Sequence, residues 1–435
     1  MSTYEKIIKL ADEVAPEMIA LRRDFHKYAE AGWMEMRTSS IIARKLTDLG
    51  YEVLVGEQVC DRDARMGVPS DEVLEASYQR AVEQGADPEF VEATRGGMTG
   101  VIGILRCGKG PTVAMRFDID ALGVFESHDE DHFPMQEGFV SVNNGVMHAC
   151  GHDCHATSGL GVAKVLMDIK DQLHGTIKLI FQPSEEGVRG AKSIVAKGHL
   201  DDVDYLLGAH TAGEDTEGSD ILPGCGGSLA TVKYDVVFSG KASHAGGSPQ
   251  LGKNALMAAS TAVLNLYGIP RHSGGATRIN VGKLIAGSGR NVICDEAFME
   301  IEVRGETTAL CNYMDEYAKR ILEAAAAMHD CTVSMKVMGG AESLTSDMSM
   351  VDHVARICEE KLGMKVCSRR LSGLGGSEDV SYMMNRVQSH GGKATFMYIR
   401  SKRAGVSHGR KYDIGEAYIP KAIKVFCGMA YDLMK

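Results

Sequence analysis

Apolar residues recur at helical spacing over the first part of the chain. Residues 4–31 predict one helix with an apolar side, which Pro16 is expected to bend or split because proline lacks the N–H that a helix needs. A second helix is expected from Thr38, as its N-cap, to the residue before Gly50. Residues 59–97 are mostly polar and predict a helical excursion that buries little.

From residue 101 the pattern changes to short apolar runs that alternate with helical stretches. Such runs, partly β-branched and bounded by glycine and proline, are typical of strands. They predict strands at 101–105, 112–118, 176–183 and 203–210, with a helix at about 155–169 between the second and the third. The alternation indicates an α/β fold whose mostly parallel sheet is buried on both faces by helices.

The pattern of apolar and polar residues changes again over residues 229–339. The pattern there predicts the order βαββαβ, with strands at 229–239, 277–286, 292–303 and 331–337 and helices at 252–267 and 307–328. This order builds a compact two-layer, ferredoxin-like domain. The α/β alternation then resumes, with helices expected near 347–363, 378–388 and 415–434 and a strand near 394–400. The simplest organisation is a discontinuous main domain, residues 1–228 and 340–435, with 229–339 inserted as a smaller domain.

Composition narrows the class of protein. Of 435 residues, 44% are hydrophobic and 24% are charged, which is typical of a folded globular chain and excludes disorder as the main state. The net charge of −11 argues against binding nucleic acid, and no apolar run approaches the ~18 residues that span a membrane. Eleven cysteines without a CxxC pair, and an N-terminus without a signal peptide, predict a reducing cytoplasm.

The stretch from His148 to Cys154 holds four side chains that suit zinc and related divalent metals. Cys150 and His152 are two residues apart, so an extended segment would place both side chains on one side. A buried, histidine-rich turn held by structural hydrogen bonds is the alternative. A redox pair of Cys150 and Cys154 is disfavoured by their spacing.

Two adjacent carboxylates, Glu185 and Glu186, follow an apolar strand. Ligands collect at the carboxyl ends of strands in α/β sheets, and neighbouring residues point in different directions. One carboxylate could therefore bind a metal while the other acts on a water molecule, which is the division that metal-assisted hydrolysis needs. Favourable placement of both at a helix N-terminus is the alternative. His210 and His408 are further candidates, although a lone histidine is more often structural.

Two residues of the inserted segment also stand out. His244 lies in a loop of small residues after a strand, and Asn291 lies between two strands. Both could simply serve turn chemistry. They could also act on a substrate carbonyl, His244 as a polarising group and Asn291 as an amide donor.

Six short motifs that contain these and other candidate residues follow one another along the chain. They are MRFDIDAL at 115–122, HACGHDCH at 148–155, FQPSEEG at 181–187, GKASHAG at 240–246, SGRNVI at 288–293 and GSEDVSYM at 376–383. Together they resemble the M20 family of metal-dependent amidohydrolases and peptidases, in the branch with hippurate and auxin-conjugate hydrolases. The resemblance covers essentially the whole chain.

The resemblance implies a site with two divalent metal ions, Zn²⁺ or Mn²⁺. Its ligands would be Cys150 as the bridge, with His152, Glu186, His210 and His408. Glu185 resembles the general base that acts on the attacking water. His244 resembles a histidine that enters the active site of a neighbouring protomer and stabilises the oxyanion, and Asn291 resembles a substrate contact. Arg116 stands where other branches have a ligand histidine, which leaves the role of Asp118 open.

The resemblance also implies the activity, which is hydrolysis of the amide bond of a small N-acyl amino acid. p-Aminobenzoyl-glutamate is the first expectation, with hippurate, an N-acetyl amino acid or a dipeptide as alternatives. A homodimer formed through residues 229–339 is expected, with a heteromer of two related chains as the alternative. In a hypothesis of another class, the chain is a non-catalytic, metal-binding partner of an active chain.

Overall fold

The elements are those of a computed structural model, which describes residues 1–369, 371–373 and 376–435. The helices in this part are α1 Thr3–Lys27, α2 Met36–Asp48, α3 Asp71–Glu83, α4 Phe133–Gln136, α5 His152–Asp168, α6 Ala191–Ala196, α7 Ala255–Tyr267, α8 Thr308–Met328, α9 Met348–Glu360, α10 Val380–Ser389 and α11 Tyr418–Met434. The strands are β1 Glu52–Val55, β2 Val101–Arg106, β3 Thr112–Asp118, β4 Thr176–Gln182, β5 Tyr205–Gly213, β6 Ile221–Leu222, β7 Cys225–Gly226, β8 Ala230–Ser239, β9 Thr277–Ala286, β10 Glu296–Gly305, β11 Thr332–Ala341, β12 Ser372–Gly373, β13 Lys393–Ser401, β14 Arg403–Ala404 and β15 Asp413–Ile414.

The first two helices depart from the sequence expectations. Pro16 does not split α1, which runs unbroken through it. A proline inside a helix costs about 3 kcal/mol, and the packing of α1 against α5 and α11 offsets that cost. Thr38 is not the cap of α2, because the helix begins before it at Met36. The carboxylate of Glu30 accepts the backbone N–H of Arg37 at 3.0 Å and of Thr38 at 2.8 Å, so a distant side chain caps the helix.

The main sheet has seven strands in the order β1-β2-β4-β3-β5-β13-β6. Its four central strands, β4, β3, β5 and β13, are mutually parallel, and antiparallel pairings add β2 at one side and β6 at the other. Because these four strands run in the same direction, their carboxyl ends lie at the same edge of the sheet. The expected α/β fold with a mostly parallel centre is confirmed.

Helices cover both faces of this sheet. On β3, Phe117 packs against Phe426 of α11, with ring centroids 4.9 Å apart. Its neighbour Arg116 points to the opposite face, where its guanidinium lies 3.4 Å from the carboxylate of Asp379, just before α10. The burial on both sides explains why these strands read as continuous apolar runs.

The described chain forms two compact units. One contains the described residues of 1–226, 345–373 and 379–435, and the other those of 227–344 and 376–378. The second unit has a four-stranded antiparallel sheet, in the order β11-β8-β10-β9, packed on α7 and α8. Phe238, Met299 and Leu322 are fully buried in its core. Its element order is the expected βαββαβ.

A helix that crosses a membrane must be both long and apolar. Within the described residues, none of the helices combines the length and the apolar character that this requires.

Candidate metal centre

The HACGHDCH motif folds differently from the expectation, although it brings the expected side chains together. His152 is the first residue of α5, and Gly151 before it has φ +86°. The segment is therefore a sharp turn into a helix, and the idea of an extended segment is wrong. The turn still places the Sγ of Cys150 3.3 Å from Nε2 of His210. His148 and Cys154, the other two donors predicted between residues 148 and 154, belong to no metal-sized cluster among the described residues.

His210 lies inside β5 and not at its end, because β5 continues to Gly213 alongside β13. Its Nδ1–H donates to the carbonyl of Thr211 at 2.9 Å. In that tautomer, Nε2 keeps its lone pair and faces the thiol of Cys150.

Glu185 and Glu186 lie in the turn between β4 and α6. Ser184, just before them, has φ +54°, a left-handed conformation that is unfavourable for a residue with a side chain. His408 also has a positive φ, +64°, and its Nε2 lies 3.5 Å from Oε1 of Glu186. The turn therefore brings the carboxylate pair to the side chain of a residue more than 200 positions away in sequence.

The predicted donors form overlapping clusters in which all ligand atoms lie within 4.8 Å of one another. One cluster is Cys150, His152 and His210, a second is Cys150, Glu186 and His408, and a third is His152, Glu185 and Glu186. Cys150 is common to the first two. The structure thus brings all five predicted ligands and the predicted general base to one place.

The chemistry of the donors fits a divalent metal. Sulfur, imidazole nitrogen and carboxylate oxygen are the ligands of zinc and related ions. Nε2 of His152 and Oε1 of Glu186 are buried and lack a hydrogen-bond partner in the described part of the chain. A buried polar atom without a partner is costly, and a coordinated cation would satisfy both atoms.

Without a bound cation, the surroundings of the site favour the protonated forms of the thiol and of the buried carboxyl group. Burial raises the pKa of the Cys150 thiol to about 12. Burial, with the nearby charge of Asp120, raises the pKa of Glu186 to about 7. Burial and the neighbouring His155 lower the pKa of His210 to about 3, so this imidazole is neutral and ready to donate its lone pair. Metal binding at such a site must displace protons from the thiol and the carboxyl group.

Several residues that shape the site were not predicted as functional. Asp120 accepts a hydrogen bond from Nδ1–H of His152 at 3.2 Å, which leaves Nε2 of that ring for a ligand. Asp118, whose role the sequence left open, pairs with Arg116 at 2.6 Å and forms a short hydrogen bond with His155. The alternation of Asp118 and Asp120 at the end of an apolar strand could have marked both residues.

His244 and Asn291 lie in the second unit. The Nδ1 of His244 accepts the backbone N–H groups of Gly246 at 3.1 Å and Gly247 at 2.9 Å. The carbonyl of Asn291 accepts the N–H of Ala245 at 3.0 Å, so the two predicted residues lie on adjoining loops.

Comparison with known proteins adds independent findings. A family model for peptidase family M20/M25/M40 matches residues 114–432. The chain is 43% identical over 413 residues to the indole-3-acetyl-aspartic acid hydrolase of Enterobacter agglomerans, covering 95% of this chain and 94% of that protein. It is 39% identical over 427 residues to one of the subunits of p-aminobenzoyl-glutamate hydrolase from Escherichia coli strain K12, covering 98% of each.

A solved structure is also similar over nearly the whole chain. The crystal structure of an aminobenzoyl-glutamate utilization protein from Klebsiella pneumoniae matches with a TM-score of 0.85 and 38% identity, covering 98% of this chain and 97% of that one. The chain belongs to peptidase family M20/M25/M40, which confirms the resemblance given by the motifs.

Proposed function

We propose that this protein hydrolyses the amide bond of an N-acyl amino acid in a metal-dependent reaction. The observation that carries the proposal is the convergence of five metal-type donors beside a sixth, acidic residue. The donors are Cys150, His152, Glu186, His210 and His408, and the acidic residue is Glu185.

Two divalent ions, Zn²⁺ or Mn²⁺, would fit this set and would be held by Cys150, His152, Glu186, His210 and His408. When bound, such ions supply Lewis acidity and lower the pKa of water toward neutrality. Glu185 accepts the proton of the attacking water and delivers it to the leaving amine, as a positioned general base and then acid. Glu185 is only 8% exposed, which shields the proton from bulk solvent.

The role of Glu185 is tested by Glu185→Gln, which keeps the size of the side chain and removes the base. General acid–base catalysis contributes about 10²–10⁴-fold, so kcat should fall by that factor while the metal content of the purified protein is unchanged. Glu83→Gln, on the exposed side of α3, is the matched control. Full activity in Glu185→Gln would end the proposal.

The names of the relatives support a substrate class. Indole-3-acetyl-aspartic acid and p-aminobenzoyl-glutamate each join an aromatic acyl group to an acidic amino acid. We take p-aminobenzoyl-glutamate as the first candidate, with p-aminobenzoate and glutamate as products. The indole-3-acetyl-aspartate amide is the second, since that relative is 43% identical. A panel that adds hippurate, N-acetyl-glutamate and a dipeptide, compared by kcat/KM, decides between these substrates.

We further propose that two copies of the chain assemble through the second unit. Its strand β9 is at the edge of the sheet, and α7 and β9 expose large apolar side chains, namely Leu256, Met257, Leu264, Tyr267, Leu284 and Ile285. Exposed apolar side chains beside an unpaired strand edge are typical of an interface. A heteromer is the alternative, because the Escherichia coli relative is named as one chain of a larger enzyme.

Mixed variants test both the assembly and His244, which we propose stabilises the oxyanion in the partner's site. Glu185→Gln and His244→Ala proteins should each be inactive alone. Exchange of protomers in an equal mixture should make about half of the dimers mixed, and each mixed dimer has one intact site of two. The mixture should therefore recover about a quarter of wild-type activity. No recovery despite demonstrated exchange would contradict the shared site. Activity of the wild-type chain by itself would exclude the non-catalytic partner hypothesis.

The reducing cytoplasm is the compartment that we propose. All eleven cysteines lie in the described part of the chain, and each is a free thiol.

A further inference from the structure

The candidate metal centre reaches solvent at His408. The side chain of His408 is 54% exposed, and the other four predicted ligands are buried or half-buried. A substrate at the metal centre would therefore contact the surface of the first unit around His408.

Two loops of the first unit form this surface. The His408 loop, residues 405–412, joins β14 to β15. The Phe125 loop, residues 122–147, is closed at its ends by two backbone hydrogen bonds of 3.0 Å between Leu122 and Met147. It connects two of the six motifs, MRFDIDAL and HACGHDCH.

Hydrogen bonds hold the two loops together beside His408. The Nε–H of Arg410 donates to the carbonyl of Phe125 at 2.9 Å, and the N–H of Ser127 donates to the carbonyl of Arg410 at 2.9 Å. The N–H of His408 itself donates to the carbonyl of Ala149 at 2.9 Å. The backbone of Phe125 is therefore fixed relative to a residue only two positions after a predicted metal ligand.

Each loop exposes a large apolar side chain at this place. Phe125 is 61% exposed, and Val406, two residues before His408, is 70% exposed. The ring of Phe125 lies against Gly145, since a Cβ at Gly145 would be 3.4 Å from two of the ring carbons. One side of the ring therefore covers the backbone of its own loop, and much of the rest faces solvent. Ligand sites typically combine apolar side chains such as these with a few polar groups.

The proposed substrate has two unlike halves. The acyl half of p-aminobenzoyl-glutamate is an aromatic ring, and the other half carries two carboxylates. A carboxylate against apolar side chains loses hydration without gaining a partner. An aromatic ring gains from the burial of apolar area and from contact with another ring. The aromatic half is therefore the half that fits Phe125 and Val406.

We propose that Phe125 and Val406 are specificity-determining residues that contact the aromatic acyl group while the amide bond lies at the metal centre. The inference rests on the proposed function, since it concerns the substrate of the same site. It adds that the preference for the acyl group is set outside the metal centre, by side chains that take no part in bond cleavage.

Two substrates that differ only in the acyl group provide the test. p-Aminobenzoyl-glutamate and N-acetyl-glutamate have the same amino acid and the same type of scissile bond, and only the first has a ring. The variants are Phe125→Ala, Phe125→Tyr and Val406→Ala. Met135→Ala is the control, because Met135 is also exposed on the Phe125 loop but belongs to α4, whose C-cap Glu137 pairs with Arg23 of α1 at 2.9 Å.

The primary measurement is the ratio of the kcat/KM values for the two substrates. Loss of an apolar contact with a substrate costs about 10–100-fold. Phe125→Ala should lower kcat/KM for p-aminobenzoyl-glutamate by a factor in that range, mainly through KM, because the contact is the same before and during bond cleavage. The kcat/KM for N-acetyl-glutamate should stay the same. Phe125→Tyr and Met135→Ala should keep the wild-type ratio, and Val406→Ala should lower it by less than Phe125→Ala does.

Binding without turnover gives a second readout. In metal-loaded Glu185→Gln protein, titration calorimetry measures the dissociation constant for uncleaved p-aminobenzoyl-glutamate. Adding Phe125→Ala to this protein should raise the dissociation constant by the factor seen in KM.

The outcomes separate this inference from the proposed function. If wild-type protein hydrolyses no N-acyl amino acid of the panel, the proposed function is refuted. If wild-type protein is active and Phe125→Ala keeps its kcat/KM ratio and dissociation constant, the proposed function stands and the inference is refuted. An equal decrease for both substrates in Phe125→Ala, or a loss of assembly seen by size-exclusion chromatography, would mean that Phe125 supports its loop or packs on another chain. Either result, or an equal effect of Met135→Ala on the ratio, would also refute the inference.

Discussion

A buried histidine beside α5 makes the stability of the first unit depend on pH. The ring of His26 is fully buried, with Nδ1 2.8 Å from Asp153 and Nε2 2.9 Å from Glu126. Both ring nitrogens face carboxylates, so both must carry a proton to donate. Arg22 shares the carboxylate of Asp153, and His132 shares that of Glu126. Burial opposes the charge on His26, but the two carboxylates prevail and raise its pKa to about 9.

The size of the effect follows from the difference between the folded and unfolded pKa values. The raised pKa of about 9, against 6.5 for the free side chain, corresponds to about 3 kcal/mol of folding free energy. Because the folded pKa is the higher one, the contribution is fully present below about pH 6.5 and is lost as the pH rises through about 9. His26→Gln should therefore be about 3 kcal/mol less stable than wild type near pH 6, and the gap should nearly close near pH 10.

The single tryptophan provides the assay. Trp33 is fully buried in the first unit, and its indole N–H donates to the carbonyl of Met66 at 2.7 Å. Its fluorescence during urea unfolding reports on this unit alone. The measurement is made in chelator at both pH values, so that protons released by metal binding do not contribute. A gap between wild type and His26→Gln that is equal at the two pH values would show that His26 is neutral in the folded protein.

Three further predictions concern residues around the site. Arg22→Met should lower the free energy of unfolding by about 3–5 kcal/mol in urea titrations, because it leaves the buried carboxylates of Asp153 and Asp413 without their cationic partner. These carboxylates lie 2.8 and 2.5 Å from the guanidinium. A decrease under about 1 kcal/mol would contradict this prediction. Gly151→Ala should cost about 1–2 kcal/mol from its φ of +86°, seen as a lower Tm, whereas an unchanged Tm would show that the turn relaxes. Zn²⁺ binding should release about one proton fewer in Cys150→Ser than in wild type. Calorimetry in two buffers with different ionisation enthalpies measures the number of protons released. Equal release in the two proteins would mean that the metal does not deprotonate the thiol.

The sequence predicted the buried strands well and the ends of the helices less well. The apolar run at 112–118 coincides with β3, because a strand that is buried on both faces has apolar residues along its whole length. The start of α2 was missed because its cap, Glu30, comes from outside the helix. The effect of Pro16 was overestimated because local propensity contains no information on the packing of α1.

The candidate site shows the same division between local and distant information. Its donors could be found because cysteine, histidine and paired glutamates suit metal chemistry wherever they occur. The geometry of Cys150 and His152 could not, because the left-handed turn at Gly151 is set by the start of α5. Asp120 and His155 were overlooked since their partners lie in other motifs and become neighbours only when the sheet forms.

The thiol shared by two clusters also restricts which cations can compete for the site. Mg²⁺ and Ca²⁺ prefer shells made entirely of oxygen, and Cys150 and three imidazoles offer sulfur and nitrogen instead. Affinity for such donors rises across the first-row series from Mn²⁺ to Cu²⁺ and falls again at Zn²⁺, which still binds them more tightly than Mn²⁺ does. Occupancy by Mn²⁺ would therefore depend on its abundance around the protein, whereas Zn²⁺ would prevail at equal concentration.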